Sequence, residues 1–501
     1  MVTQRLTRRD LVKCAVAGVG ALGLSPLARL LRAAQSMPAG ESTDAGSLQP
    51  PNILLILADD LGWNGVGYNG HGFFETPNID KLARDGIVFN AAYACAANCA
   101  PSRACLLSGQ YTPRHGVFAV GQTDRGPGNL MRLVPIPNRT DLAPEKVTVA
   151  EALKSAGYAT GMFGKWNLGG QKGPTSPRAQ GFDVAMETEK AMGGDDDPKG
   201  IYTITRAACE FIEHNRNRPF FAYVAHHAIH TKQQARPQTL SRFKSKPSGS
   251  THKDPLYAAC TYDLDDGVGI LLGKLNELGL SENTLVVFAS DNGGAPRSSQ
   301  EPLRGAKGCY YEGGIRVPTV MRWPRCIKPG TVCDEPVGYM DFYPTFLAAA
   351  GAAAPLNYTL DGEGLLPVLQ GTGHLQRPAI YWHFPGYLNG PVPRGRDGVF
   401  RTRPVSVIRK GDWKLHLFHE EWVLDGGRER IDTNNSVELY NVAEDIGEHN
   451  NLAATNKANR DELLDDLLAW IRRTPAPMPS RANDGYDPTK PIKDTDSKGD
   501  D

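Results

Sequence analysis

Three continuous apolar runs constrain the fold of this 501-residue chain more than any other feature. They are Ile53–Ala58 (ILLILA), Phe220–Ala225 (FFAYVA) and Thr284–Ala289 (TLVVFA), and none of them alternates apolar with polar residues. A strand without alternation is buried on both faces, which is typical of a parallel sheet covered by helices. Helical patterns lie between the runs, so we predict an α/β fold with a doubly wound sheet. The predicted helices are 78–84, 149–156, 202–214 and 263–278.

The pattern of elements changes after about His374. Short strand-like pieces followed by one helix predict a small antiparallel α+β subdomain over residues 375–475, so residues 50–374 form the main domain. From 476 to 501 the chain is Pro, Asp, Lys and Ser with little to bury, and we predict a disordered tail. The pieces are the strands 380–384, 405–408, 413–418 and 437–440 and the helix 460–473.

The first 36 residues read as a targeting segment rather than as part of the fold. Arg8 and Arg9 precede a weakly apolar run from Ala15 to Leu27, which resembles a twin-arginine export signal. The run is short and rich in Gly and Ala, so we expect no stable membrane span. The alternative is an N-terminal amphipathic helix. Export by this route predicts a periplasmic or secreted protein.

The charge balance excludes partners that depend on bulk charge. The chain has 55 Lys and Arg against 55 Asp and Glu, so its formal net charge is zero and we expect no nucleic-acid partner. Hydrophobic residues make up 40% of the chain, which is enough for a packed core. Nine cysteines are too few for a disulfide scaffold, although Cys326 and Cys333 flank a Lys-Pro-Gly turn that is compatible with one hairpin disulfide.

Two polar pairs directly follow two of the predicted strands. Asp59 and Asp60 follow the first strand, and Asp291 and Asn292 follow the third, after Ser290. The carboxyl ends of parallel strands share one edge of a sheet, where α/β folds bind ligands. Three carboxylates brought together there repel each other unless a hard cation, Ca²⁺ or Mg²⁺ rather than Zn²⁺, lies between them. Each pair taken alone is also an ordinary strand-end cap or turn.

The segment that starts at Cys99 carries the most specific motif of the chain. It reads C-A-P-S-R at 99–103 and L-S-G at 107–109, which resembles the C-x-P-S-R…L-[ST]-G signature of the sulfatase family. In that family the cysteine is oxidised after synthesis to Cα-formylglycine, an aldehyde, by a formylglycine-generating enzyme. The alternative is a buried cysteine in front of a helix.

Further blocks in the family's order extend the resemblance across residues 50–350. It implies an alkaline-phosphatase-like fold, with a large mixed, mostly parallel sheet flanked by helices and a small C-terminal antiparallel α+β subdomain. The blocks are A-D-D-L-G (58–62), G-K-W-N-L-G (164–169), H-H-A-I-H (226–230), D-N-G (291–293), G-A-K-G (305–308) and Y-E-G-G-I-R-V-P (311–318). The metal ligands that the resemblance implies, with Ca²⁺ preferred over Mg²⁺, are Asp59, Asp60, Cys99, Asp291 and Asn292.

The resemblance implies hydrolysis of a sulfate ester by the oxidised Cys99. The hydrated aldehyde offers two hydroxyls, of which one attacks sulfur and displaces the alcohol, while the second then releases the sulfate. The ester is an anion, so Lys165 and Lys307 would bind its oxygens and neutralise their charge in the transition state. Arg103 would orient residue 99, and His230 would bind the substrate and protonate or hydrogen-bond the leaving oxygen.

The sequence departs from the family at Asn167, where its members usually have a histidine. Asparagine can hydrogen-bond the substrate or the aldehyde hydrate, but it cannot act as a base at neutral pH. Three alternatives follow: another histidine or a water takes over, turnover is slow, or the protein is a weakly active or non-catalytic binder of sulfated glycans. We expect structural roles for His226 and His227. The intact aldehyde motif and metal set favour an active enzyme.

Residues near the start of the C-terminal subdomain suggest which ester is cleaved. Aromatic side chains at 381–387 and basic side chains at 394–414 suit the rings and charges of a sulfated carbohydrate, with an aryl sulfate as the simpler substrate. The alternative is a loop of solvated arginines beside core aromatics. The rival activity is a phosphate or phosphonate ester hydrolase of the same superfamily. The basic residues are Arg394, Arg396, Arg401, Arg403, Arg409, Lys410 and Lys414.

Overall fold

The computed structural model describes residues 49–70, 72–188, 193–247, 252–296 and 298–491. From Pro50 onward the chain forms one compact unit. The predicted export signal over residues 1–36 lies outside the described residues. Within the described part of the chain, no helix has the length and apolar content needed to cross a membrane.

Strands and helices alternate along the first half of the molecule, and strands dominate the second half. The strands are β1 (Asn52–Ala58), β2 (Ile87–Phe89), β3 (Ala92–Tyr93), β4 (Ala159–Gly164), β5 (Val184–Glu187), β6 (Phe220–Ala225), β7 (Thr284–Ser290), β8 (Thr319–Arg322), β9 (Thr331–Cys333), β10 (Val337–Gly338), β11 (Ile380–Phe384), β12 (Leu388–Asn389), β13 (Phe400–Thr402), β14 (Val405–Lys410), β15 (Trp413–Phe418) and β16 (Val437–Asn441). The helices are α1 (Pro77–Arg84), α2 (Cys99–Ser108), α3 (Thr112–His115), α4 (Val149–Ser155), α5 (Ile201–His214), α6 (Pro237–Ser245), α7 (Pro255–Glu277), α8 (Glu312–Ile315), α9 (Phe342–Ala350), α10 (Leu366–Leu369), α11 (His419–Leu424) and α12 (Lys457–Arg473).

The main sheet has eight strands in the order β5-β4-β6-β1-β7-β8-β2-β9. The five strands from β5 to β7 are parallel, whereas β8 runs antiparallel to both β7 and β2. This topology confirms the mixed, mostly parallel sheet that the resemblance implies. The three apolar runs form β1, β6 and β7, with bounds that differ from the predicted ones by at most one residue.

Both faces of β1 are buried, as its lack of alternation predicts. Ile53, Leu55 and Leu57 point into the core on one face of the sheet, which α2, α4 and α9 cover. Leu54 and Ile56 point into the core on the other face, which α1, α5 and α7 cover. The strand therefore has no solvated side, and the polar residues that follow it mark the point where it leaves the core.

A second sheet confirms the antiparallel C-terminal subdomain. It has four antiparallel strands in the order β11-β14-β15-β16, and α12 packs against β14 and β15. Its apolar residues belong to the same core as the α2 face of the main sheet. The subdomain is therefore joined to the main domain by continuous packing, and Trp382 donates a hydrogen bond across to the Ala94 carbonyl at 2.8 Å.

The disulfide considered between Cys326 and Cys333 is wrong, because both are free thiols. A hairpin would need the strands on either side of the Lys-Pro-Gly turn to be neighbours. In the sheet β2 lies between β8 and β9, and Cys333 pairs with Phe89 of β2. The turn therefore leads the chain past β2 instead of closing a hairpin.

The start of the predicted disordered tail has a defined path in the structure. Ala482 bridges to Leu133, and the Asn483 backbone N–H donates to the Arg132 carbonyl at 2.9 Å. The side chain of Asn483 donates to the Met131 carbonyl at 2.8 Å. Residues 476–491 thus differ from the predicted disorder because backbone pairing replaces the apolar burial that their composition lacks. Residues 492–501 lie outside the described residues.

Candidate active site

The carboxyl ends of four parallel strands meet at one edge of the main sheet. Ala58 of β1 pairs with Ser290 of β7, and Gly164 of β4 pairs with Ala225 of β6. Backbone hydrogen bonds continue beyond the strands: the Asp291 N–H donates to the Ala58 carbonyl at 3.0 Å, and the Asp59 N–H donates to the Ala228 carbonyl at 2.8 Å. The residues that follow these strands are therefore held close together, as the strand-end argument predicts.

Three carboxylates and one thiol form the centre of this edge. One side-chain atom of each of Asp59, Asp60, Cys99 and Asp291 lies within 4.8 Å of the others. The Cys99 Sγ atom is 3.4 Å from Asp59 Oδ1 and 3.9 Å from Asp60 Oδ1. All four side chains are buried. Burying like charges so closely is costly unless cations neutralise them.

Three cationic side chains each contact one of these carboxylates. Lys165 Nζ lies 2.6 Å from Asp59 Oδ2 and Lys307 Nζ lies 2.9 Å from Asp60 Oδ2. Arg103 Nη2 lies 2.7 Å from Asp291 Oδ2. Burial alone would raise the pKa of Asp59, but Lys165 and the other cations outweigh burial and hold this pKa well below its usual value. The site is therefore an ionised network of paired charges.

Asp291 is the least neutralised of the three carboxylates. Burial and the neighbouring charge of Asp59 raise its pKa to about 6, against the opposing effect of Arg103. The pKa values of Lys165 and Lys307 are raised because the attraction of the carboxylates outweighs the cost of burial. Asp291 is therefore the carboxylate whose charge costs most in the buried site.

Cys99 is the first residue of α2, and the whole helix is buried. Asn98 before it is extended, and Gly109 ends the helix in the left-handed region at φ 66°. Burial, together with the charge of Asp291, raises the pKa of the Cys99 thiol, so the unmodified thiol stays protonated. A protonated thiol is a poor nucleophile.

Lys165 reaches the site because the residue before it is a glycine. Gly164, the last residue of β4, has φ 103°, and a Cβ atom there would lie 2.1 Å from the Ala225 carbonyl oxygen. Only glycine allows this close approach of β4 to β6. The Lys165 N–H then donates to the same Ala225 carbonyl at 2.8 Å, which fixes the start of the lysine side chain.

Arg103 binds Asp291 and the end of β4 directly. Its Nε and Nη2 atoms donate to Asp291 Oδ2, and its Nη1 donates to the Lys165 carbonyl at 2.9 Å and to the Tyr223 hydroxyl at 3.2 Å. It is fully buried. These contacts make it a support for Asp291 and for the end of β4.

His230 lies at the site, whereas the two preceding histidines are bonded elsewhere. His230 Nε2 is 3.9 Å from Asp60 Oδ2, and its Nδ1 is 2.6 Å from the Thr231 carbonyl oxygen. His226 and His227 each bond a threonine through Nε2, at 3.1 Å and 3.0 Å. Burial lowers the pKa of these two to about 3 and about 4, so both are neutral, consistent with structural roles.

Asn167 has φ 60°, in the left-handed region that asparagine tolerates better than most residues. Its Oδ1 atom is buried and has no hydrogen-bond partner among the described residues. The acceptor therefore remains available two residues beyond Lys165.

The donor set fits a hard divalent cation. Asn292 donates through Nδ2 to Asp60 Oδ1 at 2.8 Å, and its Oδ1 atom is buried without a partner in the described part of the chain. A half-turn of the amide exchanges the two atoms and turns the oxygen toward Asp60. Three carboxylates and an amide oxygen are ligands that Ca²⁺ and Mg²⁺ prefer. The residues that would hold the ion are Asp59, Asp60, Asp291 and Asn292, beside residue 99.

Three hydroxyl groups that the sequence analysis missed support the strand ends. Ser290 Oγ accepts a hydrogen bond from the Leu61 N–H at 2.9 Å, and the Tyr257 hydroxyl accepts one from the Gly62 N–H at 3.0 Å. Tyr223 binds Arg103. Tyr223 within the apolar run of β6 and Ser290 at the carboxyl end of β7 carry hydroxyl groups at the site edge of the sheet, a signal that could have identified them.

Most of the basic side chains predicted to bind substrate contact acidic residues of this chain instead. The aromatic residues before them are also in the core: Tyr381 stacks on Trp470 with ring centres 4.8 Å apart. The segment therefore supports the subdomain, and it carries little of the substrate argument. The pairs are Arg396 with Glu421 and Glu438, Arg403 with Asp397 and Glu420, Lys410 with Glu462 and Asp466, and Lys414 with Glu312 and Glu448.

Comparison of the chain with known proteins identifies one family. The Sulfatase family model matches residues 51–352, and the model "N-sulphoglucosamine sulphohydrolase, C-terminal" matches residues 306–473. A sulfatase of Formosa agariphila is 32% identical, covering 88% of this chain and 92% of the relative. Human arylsulfatase A is 34% identical, covering 84% and 86%.

A solved structure shares both the fold and part of the sequence. The crystal structure of Ps i-CgsB in complex with k-i-k-neocarrahexaose superposes with a TM-score of 0.68 at 29% identity, covering 86% of this chain and 95% of that one. The match spans the main sheet as well as the C-terminal subdomain. The chain therefore belongs to the sulfatase family, and it is a sulfuric ester hydrolase.

Proposed function

We propose that the protein removes sulfate from a sulfated carbohydrate, through a formylglycine made from Cys99 and with Ca²⁺ at the neighbouring carboxylates. The observation that carries the proposal is the cluster of Cys99 Sγ with Asp59, Asp60 and Asp291, all within 4.8 Å. When present, the hydrated formylglycine supplies the attacking and releasing hydroxyls, and the cation supplies positive charge beside them.

The two lysines bind the sulfate group. Both ammonium groups are already inside the site, where each neutralises a carboxylate. With a divalent cation on those carboxylates, Lys165 and Lys307 can turn toward the sulfate oxygens. There they stabilise the charge that builds up as the S–O bond to the alcohol breaks.

His230 handles the leaving-group proton. Its Nδ1–H donates to the Thr231 carbonyl, which leaves Nε2 facing Asp60 and the site. In the neutral ring Nε2 is a hydrogen-bond acceptor, and burial lowers the pKa of His230. The imidazolium form, with a proton on both nitrogens, delivers its Nε2 proton to the alcohol oxygen as it leaves. Arg103 holds Asp291 in place, and Asn167 offers its unpartnered Oδ1 as a hydrogen-bond acceptor where the family usually has a histidine.

A sulfated saccharide is the substrate class that the relatives favour. The C-terminal part of the chain matches the C-terminal model of N-sulphoglucosamine sulphohydrolase, and the similar structure above was solved with neocarrahexaose. An N-acetylgalactosamine-6-sulfatase of the mouse is also similar, at 33% identity. Aryl sulfates are the simpler alternative, since arylsulfatase A is among the relatives.

Two further parts of the proposal concern the oxidation of Cys99 and the export of the protein. A formylglycine-generating enzyme oxidises Cys99 before the chain folds, because α2 is fully buried in the folded protein. The Arg8-Arg9 segment directs the folded enzyme to the periplasm or out of the cell.

The test compares matched substrates with one preparation of enzyme. We expect sulfate release from sulfated oligosaccharides with a higher kcat/KM than from an aryl sulfate, and a much lower kcat/KM for the phosphate ester of the same alcohol. Faster cleavage of the phosphate or phosphonate ester would contradict the sulfatase assignment. Cleavage of aryl sulfates without release from any sulfated saccharide would contradict the carbohydrate assignment.

A further inference from the structure

A buried group of charges lies behind the site and joins the loop of Lys307 to the C-terminal sheet. We name it the Glu312 cluster, and it consists of Glu312, Lys414, His416 and Glu448. Lys414 Nζ lies 2.8 Å from Glu312 Oε1 and 3.0 Å from Glu448 Oε1. The side chains of Lys414, Glu312 and Glu448 are completely buried.

Glu312 is fully hydrogen-bonded within this cluster and its surroundings. Its Oε2 accepts from the Tyr93 hydroxyl at 2.9 Å and from Arg316 Nη1 at 3.0 Å. Its backbone N–H donates to Glu448 Oε2 at 2.7 Å. The backbone of Glu312 is therefore held by Glu448, and its side chain by the distant Tyr93 and Lys414 as well as by Arg316.

The loop that carries Lys307 runs directly into helix α8, which begins at Glu312, and it contacts both halves of the active site. The Lys307 N–H donates to the Gly294 carbonyl at 2.9 Å, three residues after Asp291, and the Gly308 N–H donates to the Ala97 carbonyl at 2.8 Å, two residues before Cys99. At the other end the Gly293 N–H donates to the Gly314 carbonyl at 3.0 Å. A displacement of this loop would therefore change the distance from Lys307 Nζ to Asp60 Oδ2.

We propose that Lys414, on β15 of the C-terminal sheet, is a positioning residue for Lys307. It holds Glu312, and Glu312 fixes the glycine-rich loop in the place where Lys307 Nζ reaches Asp60 and the substrate sulfate. Lys414 belongs to a strand of the other sheet and is buried among carboxylates, so it acts through Glu312 and does not touch substrate. The C-terminal subdomain thereby contributes to sulfate binding from behind the site.

The first experiment replaces Lys414 in the full-length enzyme and measures sulfate binding and turnover. Lys414→Met is expected to lower kcat/KM by about 10²-fold, because small displacements of a catalytic group have effects of that size. It should also weaken the binding of inorganic sulfate, measured by calorimetry at a temperature where circular dichroism shows a folded protein. Lys414→Arg keeps the charge and should restore most of both. Unchanged sulfate affinity and kcat/KM in folded Lys414→Met would overturn the proposal.

A matched control separates positioning from lost stability. Arg460 on α12 is also buried in the C-terminal subdomain, and its contacts, which include Asp432 at 2.6 Å, lie within residues 432–461. Arg460→Met should lower the melting temperature without changing the affinity for inorganic sulfate. An equal loss of sulfate affinity in this control would show a general effect of destabilisation and overturn the proposal.

A double-mutant cycle tests whether Lys414 acts through Lys307. In the Lys307→Ala background, Lys414→Met should change kcat/KM by less than about twofold, since the group it positions is absent. If the two effects multiply, Lys414 acts by another route and the proposal fails. Should Lys414→Met not fold, Glu312→Gln replaces it in both experiments, because it removes the charge and puts an NH2 group in place of one of the two acceptor oxygens that bind Lys414, Tyr93 and Arg316.

Discussion

The molecule contains two buried clusters of charge that differ in how completely they are satisfied. In the Glu312 cluster, two carboxylates share Lys414, and further donors from Tyr93 and Arg316 complete Glu312. At the active site, three carboxylates and a thiol crowd together, and the Asn292 oxygen beside them has no partner among the residues described. One cluster is complete with protein groups alone, whereas the other has the donor set of a cation site.

This difference separates structural charge from catalytic charge. A buried ion pair with all its partners present fixes two elements relative to each other, at a large cost if one partner is lost. At the active site each carboxylate has one cationic partner, but three carboxylates with atoms within 4.8 Å still repel each other, and a bound cation relieves this repulsion. Substitutions in the Glu312 cluster should therefore mainly lower stability. Substitutions at the active site should mainly lower activity.

The largest effect is expected from a substitution that removes the nucleophile of the active site and leaves the Glu312 cluster unchanged. Cys99→Ala should lower kcat/KM by at least about 10⁴-fold, because removal of a catalytic nucleophile has effects of this size. The melting temperature should stay close to that of the parent. Cys105→Ala, on the same buried helix with its Sγ 3.3 Å from His115 Nε2, is the control and should retain activity. Loss of activity in both variants would point to damage of α2 rather than to chemistry at residue 99.

The next prediction compares the effects of replacing Lys414 and Lys165 on stability and on kcat/KM. Lys414→Met leaves Glu312 and Glu448 uncompensated and should cost about 3–5 kcal/mol of unfolding free energy. Lys165→Met should cost less in saturating Ca²⁺, because the cation still neutralises Asp59, yet it should reduce kcat/KM more strongly. Denaturant titrations and steady-state kinetics check both. Equal stability losses in Ca²⁺ would remove the distinction between the clusters.

Removal of the cation should affect the active site and leave the Glu312 cluster unchanged, so Ca²⁺ binding distinguishes the two clusters. A ligand at about 100 times its Kd stabilises the folded state by about 2.7 kcal/mol, so Ca²⁺ should raise the melting temperature of the chelated enzyme. Asp60→Asn should abolish this rise, whereas Glu448→Gln should lower the melting temperature and keep the rise. Chelation should also remove activity reversibly. A Ca²⁺-dependent rise that survives in Asp60→Asn would contradict the assignment of the ligands.

How much of this could be read from the sequence differs between strands and loops. The three buried strands and the polar residues at their ends were predicted, because an unbroken apolar run and a polar residue after it are local features. The contacts of Lys165 with Asp59 and of Lys307 with Asp60 were not, because they depend on the paths of the segments that follow β4 and β7.

For the basic segment 394–414, in contrast, the local sequence pattern favoured a role that the observed contacts do not support. Clustered cations predicted a substrate surface, but Glu438, which binds Arg396, and Glu312, which binds Lys414, are distant in sequence and come close only in the folded protein. The same cause explains the wrong disulfide, since the position of β2 between β8 and β9 is a property of topology and not of the turn. The family motif found the site where local chemistry alone left alternatives.

The smallest effect concerns neutral histidines in the C-terminal sheet. Burial lowers the pKa of His383 to about 4, where it packs against His419, Ser406 and Phe118. Between pH 6.5 and 4 the unfolded chain binds a proton here that the folded chain does not, so stability falls as pH falls. This histidine should contribute about 2 kcal/mol of loss between pH 7 and pH 5. His383→Gln should flatten the pH dependence of the unfolding free energy, and an unchanged slope would show that His383 is not the group responsible.

Mass spectrometry of the peptide that contains residue 99, taken from an active preparation, tests the central claim most directly. Oxidation of the cysteine to formylglycine lowers the peptide mass by about 18 Da. We expect this lighter peptide in a fraction that rises and falls with specific activity across preparations. A fully active preparation in which residue 99 is an unmodified cysteine would contradict the account.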